Sequence, residues 1–329
     1  MPTVISRASE PRPTAAWDAY WRLAAERQEI FFKRLAGLPP PWTADPVLAA
    51  HRFTNAYRAS DRASQLLIRD VQYAGPQDAA NLFFRTVLFK LFNLPSTWRG
   101  LTATVGDPRA ETFDVARYSA ALERLAASGP IYSAAYLMPS RAGGFSNARK
   151  HVTHLRLLAW MMAEKLPAKI AAARNLKESF SILRAVPGFG DFLAFQLTTD
   201  LNYSRLTDFP EAQFCVAGPG ARSGIAKCFS TLGDYSETDV LFWAHERQAA
   251  EFARLGLKFR DLWGRPLQPI DCQNLFCETD KYCRAFRPEL TGRGGRTRIK
   301  RAYAGPQEPL PRPFYPPKWG LDTARIISA

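Results

Sequence analysis

The chain has 329 residues, 47% hydrophobic and 22% charged, and carries 44 Lys and Arg against 30 Asp and Glu, a net charge of +14. That composition is ordinary for a soluble globular protein with a substantial core. No apolar run nears the roughly 18 residues of a membrane span and no signal core follows Met1, so a membrane protein is excluded and a cytoplasmic setting is expected.

In chain order, residues 1–14 hold three prolines and few apolar residues and are expected to be disordered. From 15 to about 38, Trp17, Tyr20, Trp21, Ala24 and Ile30 recur at helical spacing, and Pro39, Pro40 and Pro41 stop the run. Asp45 as N-cap with Pro46 at the first helical position opens a second helix, expected to reach about Ser60. Helices are expected over 61–73 and 77–94, then a turn-rich stretch over 95–108, then helices near 114–127 and 146–165. A helical hairpin is expected over 175–203, a glycine-rich turn at 217–224 leading into a helix, and further helices over 237–256 and 270–286. Strand signals are sparse, so the fold class is all-α, with a helical domain over 15–286. Residues 287–329 read as an extended Pro- and Arg-rich tail with Arg293, Arg296, Arg298, Lys300 and Arg301 in one cluster, either solvated or lying along a nucleic-acid backbone.

The excess of base over acid points to a polyanionic partner. Arginine makes up 33 of the 44 basic residues, and it suits bidentate phosphate and base-edge contacts. A GC-rich genome accounts for Arg over Lys but not for base over acid. The stretch over 183–192 has helix, turn, helix character, and its turn reads Pro187-Gly188-Phe189-Gly190. Glycines there bare backbone N–H groups at a helix start, a ready anion site. This is the pattern of a helix-hairpin-helix, and an ordinary glycine-capped αα-turn is its plain alternative. Gly218, Gly220 and Arg222 form a second candidate, a nest for phosphate or pyrophosphate, again against an ordinary turn.

Read as one helix, residues 53–64 place Asn55, Arg58 and Arg62 at i, i+3 and i+7 on one face, with Asp61 able to pair with Arg58. An amide and two guanidiniums suit a flipped base or a phosphate. A solvated, ion-paired face is the alternative. Lys281 is a candidate Schiff-base nucleophile or an ion-pair partner of Glu278 one turn away.

The five cysteines are expected to be reduced. Cys272, Cys277 and Cys283 have C-x4-C-x5-C spacing without a nearby fourth cysteine, and an iron–sulfur cluster normally needs four ligands. His151 and His154 share a helix face with no acid or thiol joining them in sequence. No metal and no other cofactor is expected.

Several segments resemble a known family. Pro41-Trp42-Thr43-Ala44-Asp45-Pro46, Phe53-Thr54-Asn55-Ala56-Tyr57-Arg58 and Asp61-Arg62-Ala63-Ser64 look like its N-terminal signature. Phe84-Arg85, Phe92-Asn93, Ala135-Tyr136, the 187–192 turn, Asp200-Leu201, Asp208, Gly218-Pro219-Gly220, Cys277-Glu278 and Lys281-Tyr282 continue it. The family is the alpha-glutamyl/putrescinyl thymine pyrophosphorylases, which overlap the helical domain named for 5-hydroxymethyl-deoxyuridine DNA kinases. The resemblance covers about 15–290. It implies a fold related to helix-hairpin-helix DNA glycosylases and work on double-stranded DNA bearing 5-hydroxymethyl-pyrimidine derivatives.

An Asp some way past such a hairpin is the catalytic carboxylate of those glycosylases, and Asp208 stands eighteen residues after Gly190, with Asp200 as the alternate. A carboxylate there stabilises the sugar cation formed as an N-glycosidic bond breaks. The leading expectation is therefore a DNA glycosylase of phage defence that excises a modified, 5-hydroxymethyl-derived pyrimidine. Asp208, Asp200 and Lys281 are its catalytic candidates. Pro187, Gly188, Gly190, Gly218, Gly220 and Arg222 would grip the backbone, and Trp42, Asn55, Arg58, Asp61 and Arg62 would line the base pocket. The alternatives are a transferase that replaces an activated group on 5-hydroxymethyl-uracil with an amine or amino acid, and a non-catalytic DNA-binding module. No G-x-x-x-x-G-K-[ST] phosphate loop is present, and no obligate protein partner is readable.

Overall fold

The computed structural model describes residues 6–134, 143–145, 147, 149–290, 292–293, 295–300, 302–303 and 310–322. Among them the chain builds α1 (Ala15–Leu35), α2 (Pro46–Ala50), α3 (Arg62–Leu66), α4 (Ala79–Phe92), α5 (Pro95–Val105), α6 (Val115–Ser128) and α7 (Lys150–Ala163). It continues with α8 (Leu166–Ala171), α9 (Leu176–Arg184), α10 (Asp191–Tyr203), α11 (Pro219–Cys228), α12 (Glu237–Arg254) and α13 (Pro269–Phe286). A two-stranded antiparallel sheet of β1 (Arg12–Pro13) and β2 (Phe229–Thr231), short 3₁₀ turns and a π-helix over Leu67–Gln72 accompany them. The all-α expectation holds. No helix among the described residues is long and apolar enough to cross a membrane. Ala135, Tyr136 and Arg301 lie outside the described residues.

The chain forms two compact units. The first takes in residues 1–61, 211–313 and 319–329, and the second 62–210 and 314–318. In the first, aromatic rings of α1 make the core. Trp17 stacks on Tyr20 at 5.3 Å and meets Trp243 of α12 at 5.3 Å, and Tyr20 meets Phe276 of α13 at 4.4 Å. Glycines then let α11 and α13 approach closely. A Cβ on Gly224 would stand 1.9 Å from the Phe276 carbonyl oxygen, and one on Gly220 2.3 Å from Cys277 Sγ. Residues 6–14 correct the expectation of disorder there. Arg12 and Pro13 pair with β2, and Thr14 caps α1 through its side chain and donates its N–H to the Cys228 carbonyl at 2.8 Å.

The second unit buries apolar faces of α4–α10 in one cluster that includes Phe83, Phe84, Leu88, Leu155, Leu158, Leu183, Phe189 and Leu201. The hairpin expected over 175–203 is α9 and α10. Its turn drives Val186 and Phe189 into that core while Gly188, at φ +84°, and Gly190 stay at the surface. The stretch over 95–108 is a helix and not the expected run of turns. Pro95 sits at its start, and Gly100 faces Leu125, where a Cβ would meet Cδ2 at 2.5 Å, so these residues serve helix entry and packing. The second expected helix, 46–60, stops at Ala50. The tail is anchored where it is described. Gln65 and the Phe314 backbone exchange two hydrogen bonds, at 2.7 and 3.2 Å. Lys318 Nζ donates to the carbonyls of Asn202 (2.6 Å), Ser204 (2.8 Å) and Thr207 at the end of α10.

Because backbone, not a flexible side chain, blocks a Cβ at Gly224, Gly224→Ala should force α11 and α13 apart and cost about 1–3 kcal/mol. Thermal denaturation checks this, and an unchanged midpoint would show that the helices separate freely.

Candidate active site

Residues 52–61 of the first unit form a loop whose polar bonds take the place of a helix ladder. Asp61 Oδ1 accepts the Asn55 N–H at 2.8 Å, Asn55 Nδ2 donates to the Ser60 carbonyl at 2.7 Å, and the Arg58 N–H goes to Asp271 Oδ1 at 2.7 Å. Asn and Asp side chains that bond backbone this way compete with helix formation. Asn55, Arg58 and Arg62 therefore do not share a helix face, as the sequence pattern had suggested. Arg58 is buried in a short 3₁₀ turn over Arg58–Ser60, while Arg62 is exposed at the start of α3 in the other unit. The loop is pinned by Tyr57, whose hydroxyl donates to the Arg265 carbonyl at 2.6 Å.

Two helices grip the loop and gather a polar cluster around it. From α1, Arg27 donates through Nε to the Thr54 carbonyl at 2.9 Å and through Nη2 to the Phe53 carbonyl at 3.2 Å and Asn55 Oδ1 at 3.3 Å. From α13, Glu278 Oε2 accepts the Thr54 N–H at 3.1 Å and Lys281 Nζ at 3.0 Å. Lys281 also donates to the Arg52 carbonyl, and its ammonium lies 4.1 Å from the centre of the Phe53 ring. Burial pushes the Asp61 carboxyl up to about 7; Glu278 adds to the rise, while the Asn55 N–H, Arg27 and Arg58 oppose it. The cluster thus holds a carboxyl whose proton affinity is raised to near neutrality. Around it are an amide, a second carboxyl and three cationic side chains. Such a set can take a proton from a hydroxyl or amine and balance the charge of a phosphate. A second carboxyl, Asp271, is also pushed up to about 7 by burial, but it receives the backbone N–H groups of Arg58 and Gln268 and so caps α13.

Of the residues named from sequence, the cluster takes in Asn55, Asp61 and, through Glu278, Lys281, and Arg58 is buried in the same loop. Trp42 stands beside it, half-buried, its indole N–H on the Leu38 carbonyl at 2.7 Å and the Arg34 guanidinium 5.1 Å from its ring. Arg27 was not anticipated. Nothing in a helical pattern shows that a residue of α1 will reach backbone 26 positions further on.

The remaining candidates lie elsewhere. Gly188 and Gly190 are exposed and Pro187 half-buried at the α9–α10 bend, where Arg184 pairs with Asp191 and donates to the Phe189 carbonyl at 2.9 Å. Asp200 is fully buried and pairs with Lys90 at 3.1 Å. Asp208 is 79% exposed, with Lys318 at 3.6 Å. Gly218 is the buried N-cap of α11, Gly220 faces Cys277, and Arg222 pairs with Glu237 at 3.3 Å. The five cysteines are free thiols, and no group of three or more His, Cys, Asp or Glu among the described residues could hold a metal ion.

The family described as "5-hmdU DNA kinase, helical domain" matches residues 14–292. The chain belongs to that family. A relative, the 5-hmdU DNA kinase of Bacillus phage SP10, is 28% identical over 296 residues, which is 83% of this chain and 46% of the relative. The chain therefore spans about half the length of that protein. No solved structure matches the chain. These findings correct the leading sequence-based expectation. Family and relative carry the name of a kinase, a group-transferring enzyme, so the hydrolase reading, an N-glycosylase, is withdrawn. With it goes the role of Asp208 as the carboxylate beside a sugar cation. The theme of modified thymine in DNA fits.

Asp61 makes stability depend on pH. Its folded value, about 7, lies above the ordinary 3.8, so between those limits the folded state keeps a proton that the unfolded state has lost. Stability contributed by this group falls as pH rises through that window and stays lower above it. Asp61→Asn keeps an acceptor for the Asn55 N–H and removes the ionisation. Its thermal midpoint should exceed that of the wild type at about pH 8 and match it near pH 4. Equal differences at both pH values would rule out a raised Asp61.

Proposed function

We propose that this chain is a transferase of DNA base modification. It acts on DNA carrying a 5-hydroxymethyl-derived uracil and replaces an activated group at the 5-methylene while the glycosidic bond stays intact. The observation that carries the reading is Asp61, a carboxyl poised near neutrality among Arg27, Arg58 and Lys281, in a chain of the 5-hmdU DNA kinase helical-domain family. In this reading an amine or amino acid attacks the 5-methylene carbon. A C–N bond forms, the C–O bond to a phosphate or pyrophosphate breaks, and the leaving oxygen takes the electron pair. Asp61 accepts the proton shed by the nucleophile, and the cations meet the charge gathering on the leaving group.

A second reading is supported by the relative's name. Phosphorylation of the 5-hydroxymethyl oxygen would use the same groups, with Asp61 taking the hydroxyl proton and the cations facing the transferred phosphoryl group.

Nucleoside mass spectrometry separates these outcomes. DNA containing 5-hydroxymethyl-uracil, supplied with ATP, and the same DNA carrying a 5-pyrophosphate, supplied with an amine, are each digested after reaction. Displacement yields the amine adduct from the second substrate, and phosphorylation yields a phosphate adduct from the first. Free base from either, or no change in both, defeats the proposal.

For whichever substrate reacts, Asp61→Asn should lower the rate by about 10²–10⁴-fold, the usual contribution of a positioned base. In the wild type the rate should rise with pH to a plateau above about 7. A variant that works at the wild-type rate would remove Asp61 from the chemistry.

A further inference from the structure

Phe286 is the last residue of α13 and one of two large hydrophobic side chains left exposed among the described residues, at 43%. A single exposed apolar residue is ordinary. Its company makes this one informative. Tyr282 lies 5.1 Å from it, and Phe53 lies 6.2 Å beyond Tyr282, under the Lys281 ammonium. A row of rings thus runs from the 52–61 loop to the open end of the helix. The Arg287 guanidinium stands 5.0 Å from the Phe286 ring. Arg284 donates to the Arg298 carbonyl at 3.3 Å, which fastens the tail segment bearing exposed Arg296, Arg298 and Lys300 to the same helix end. Glu289 is the exposed acid nearby.

We propose that this end of α13 is a stacking platform for an unpaired DNA strand, with Phe286 taking the face of a base and the cations taking phosphates. The inference rests on the reading of DNA as substrate and adds where the strand beside the modified base lies. An exposed ring beside a guanidinium, with further cations close by on the chain, binds bases without regard to sequence, because every base has a π face and every nucleotide a phosphate. Bases within a duplex already stack on both sides, so the occupant is single-stranded.

The test uses the whole chain and oligonucleotides of about a dozen nucleotides, single-stranded or duplex, with 2-aminopurine at one position. Wild-type protein should quench 2-aminopurine in the single strand. Phe286→Ala should bind that strand about ten-fold more weakly and lose the quenching, as expected for one lost stack, and Phe286→Trp should restore both. Duplex binding should be the same in all three. If circular dichroism shows that the Ala variant fails to fold, Phe286→Leu replaces it, keeping the apolar contact with Tyr282 without a π face. Single-strand binding within two-fold of wild type with quenching retained overturns the proposal, as does an equal loss of duplex binding. Group transfer is scored separately. Transfer without quenching sinks the platform alone, and quenching without transfer sinks the proposed function alone.

Discussion

One hydrogen bond organises the 52–61 loop. The Asp61 carboxylate receives the Asn55 N–H across six residues, and that closure keeps 55–61 from continuing as a helix. Without it, the carbonyls of Phe53 and Thr54 would have intrahelical partners and Arg27 would lose two of its three acceptors. The same contact encloses the carboxyl that it orients. Desolvation raises the proton affinity, and the single N–H and the neighbouring guanidiniums restrain the rise without cancelling it. Geometry and acidity at this position therefore come from one local arrangement.

The wider scaffold serves that arrangement through α13. Gly220 and Gly224 bring α11 against it, Tyr20 and Phe276 hold it to α1, and Asp271 fixes its first turn. Glu278 and Lys281 then project from a helix clamped on several sides toward a loop that α1 also grips. Charged side chains on a rigid helix are held in place far better than the same side chains on a free loop.

The sequence made the long amphipathic elements legible. The α1 aromatic stripe, α4, α6, the α9–α10 hairpin, α12 and α13 follow from periodicity and caps. It failed where polar side chains override the backbone. The Asp45-Pro46 start is real, but the helix ends at Ala50 because Asn55 and Asp61 bond to backbone further on. It failed again at 95–105, where Pro and Gly read as turn signals yet act as a helix start and a packing notch. Asn55, Asp61 and Lys281 fall in one cluster, Lys281 by way of Glu278, but Asn55 is not on the helix face that its spacing suggests. Arg27 carried no signal, since its partners are carbonyl groups and pattern reading does not see them. Asp208 shows the converse: a suggestive spacing located a solvated side chain.

Lys318 has an outcome that reaches past its own segment. Its ammonium gathers three carbonyls where α10 ends, more than a hundred positions earlier in the chain. The negative end of that helix dipole is thus met by a residue of a short 3₁₀ turn, Pro317–Trp319, in the tail. Truncation just before position 318 would leave every α-helix intact on paper and still strip the hairpin's second arm of its electrostatic stopper.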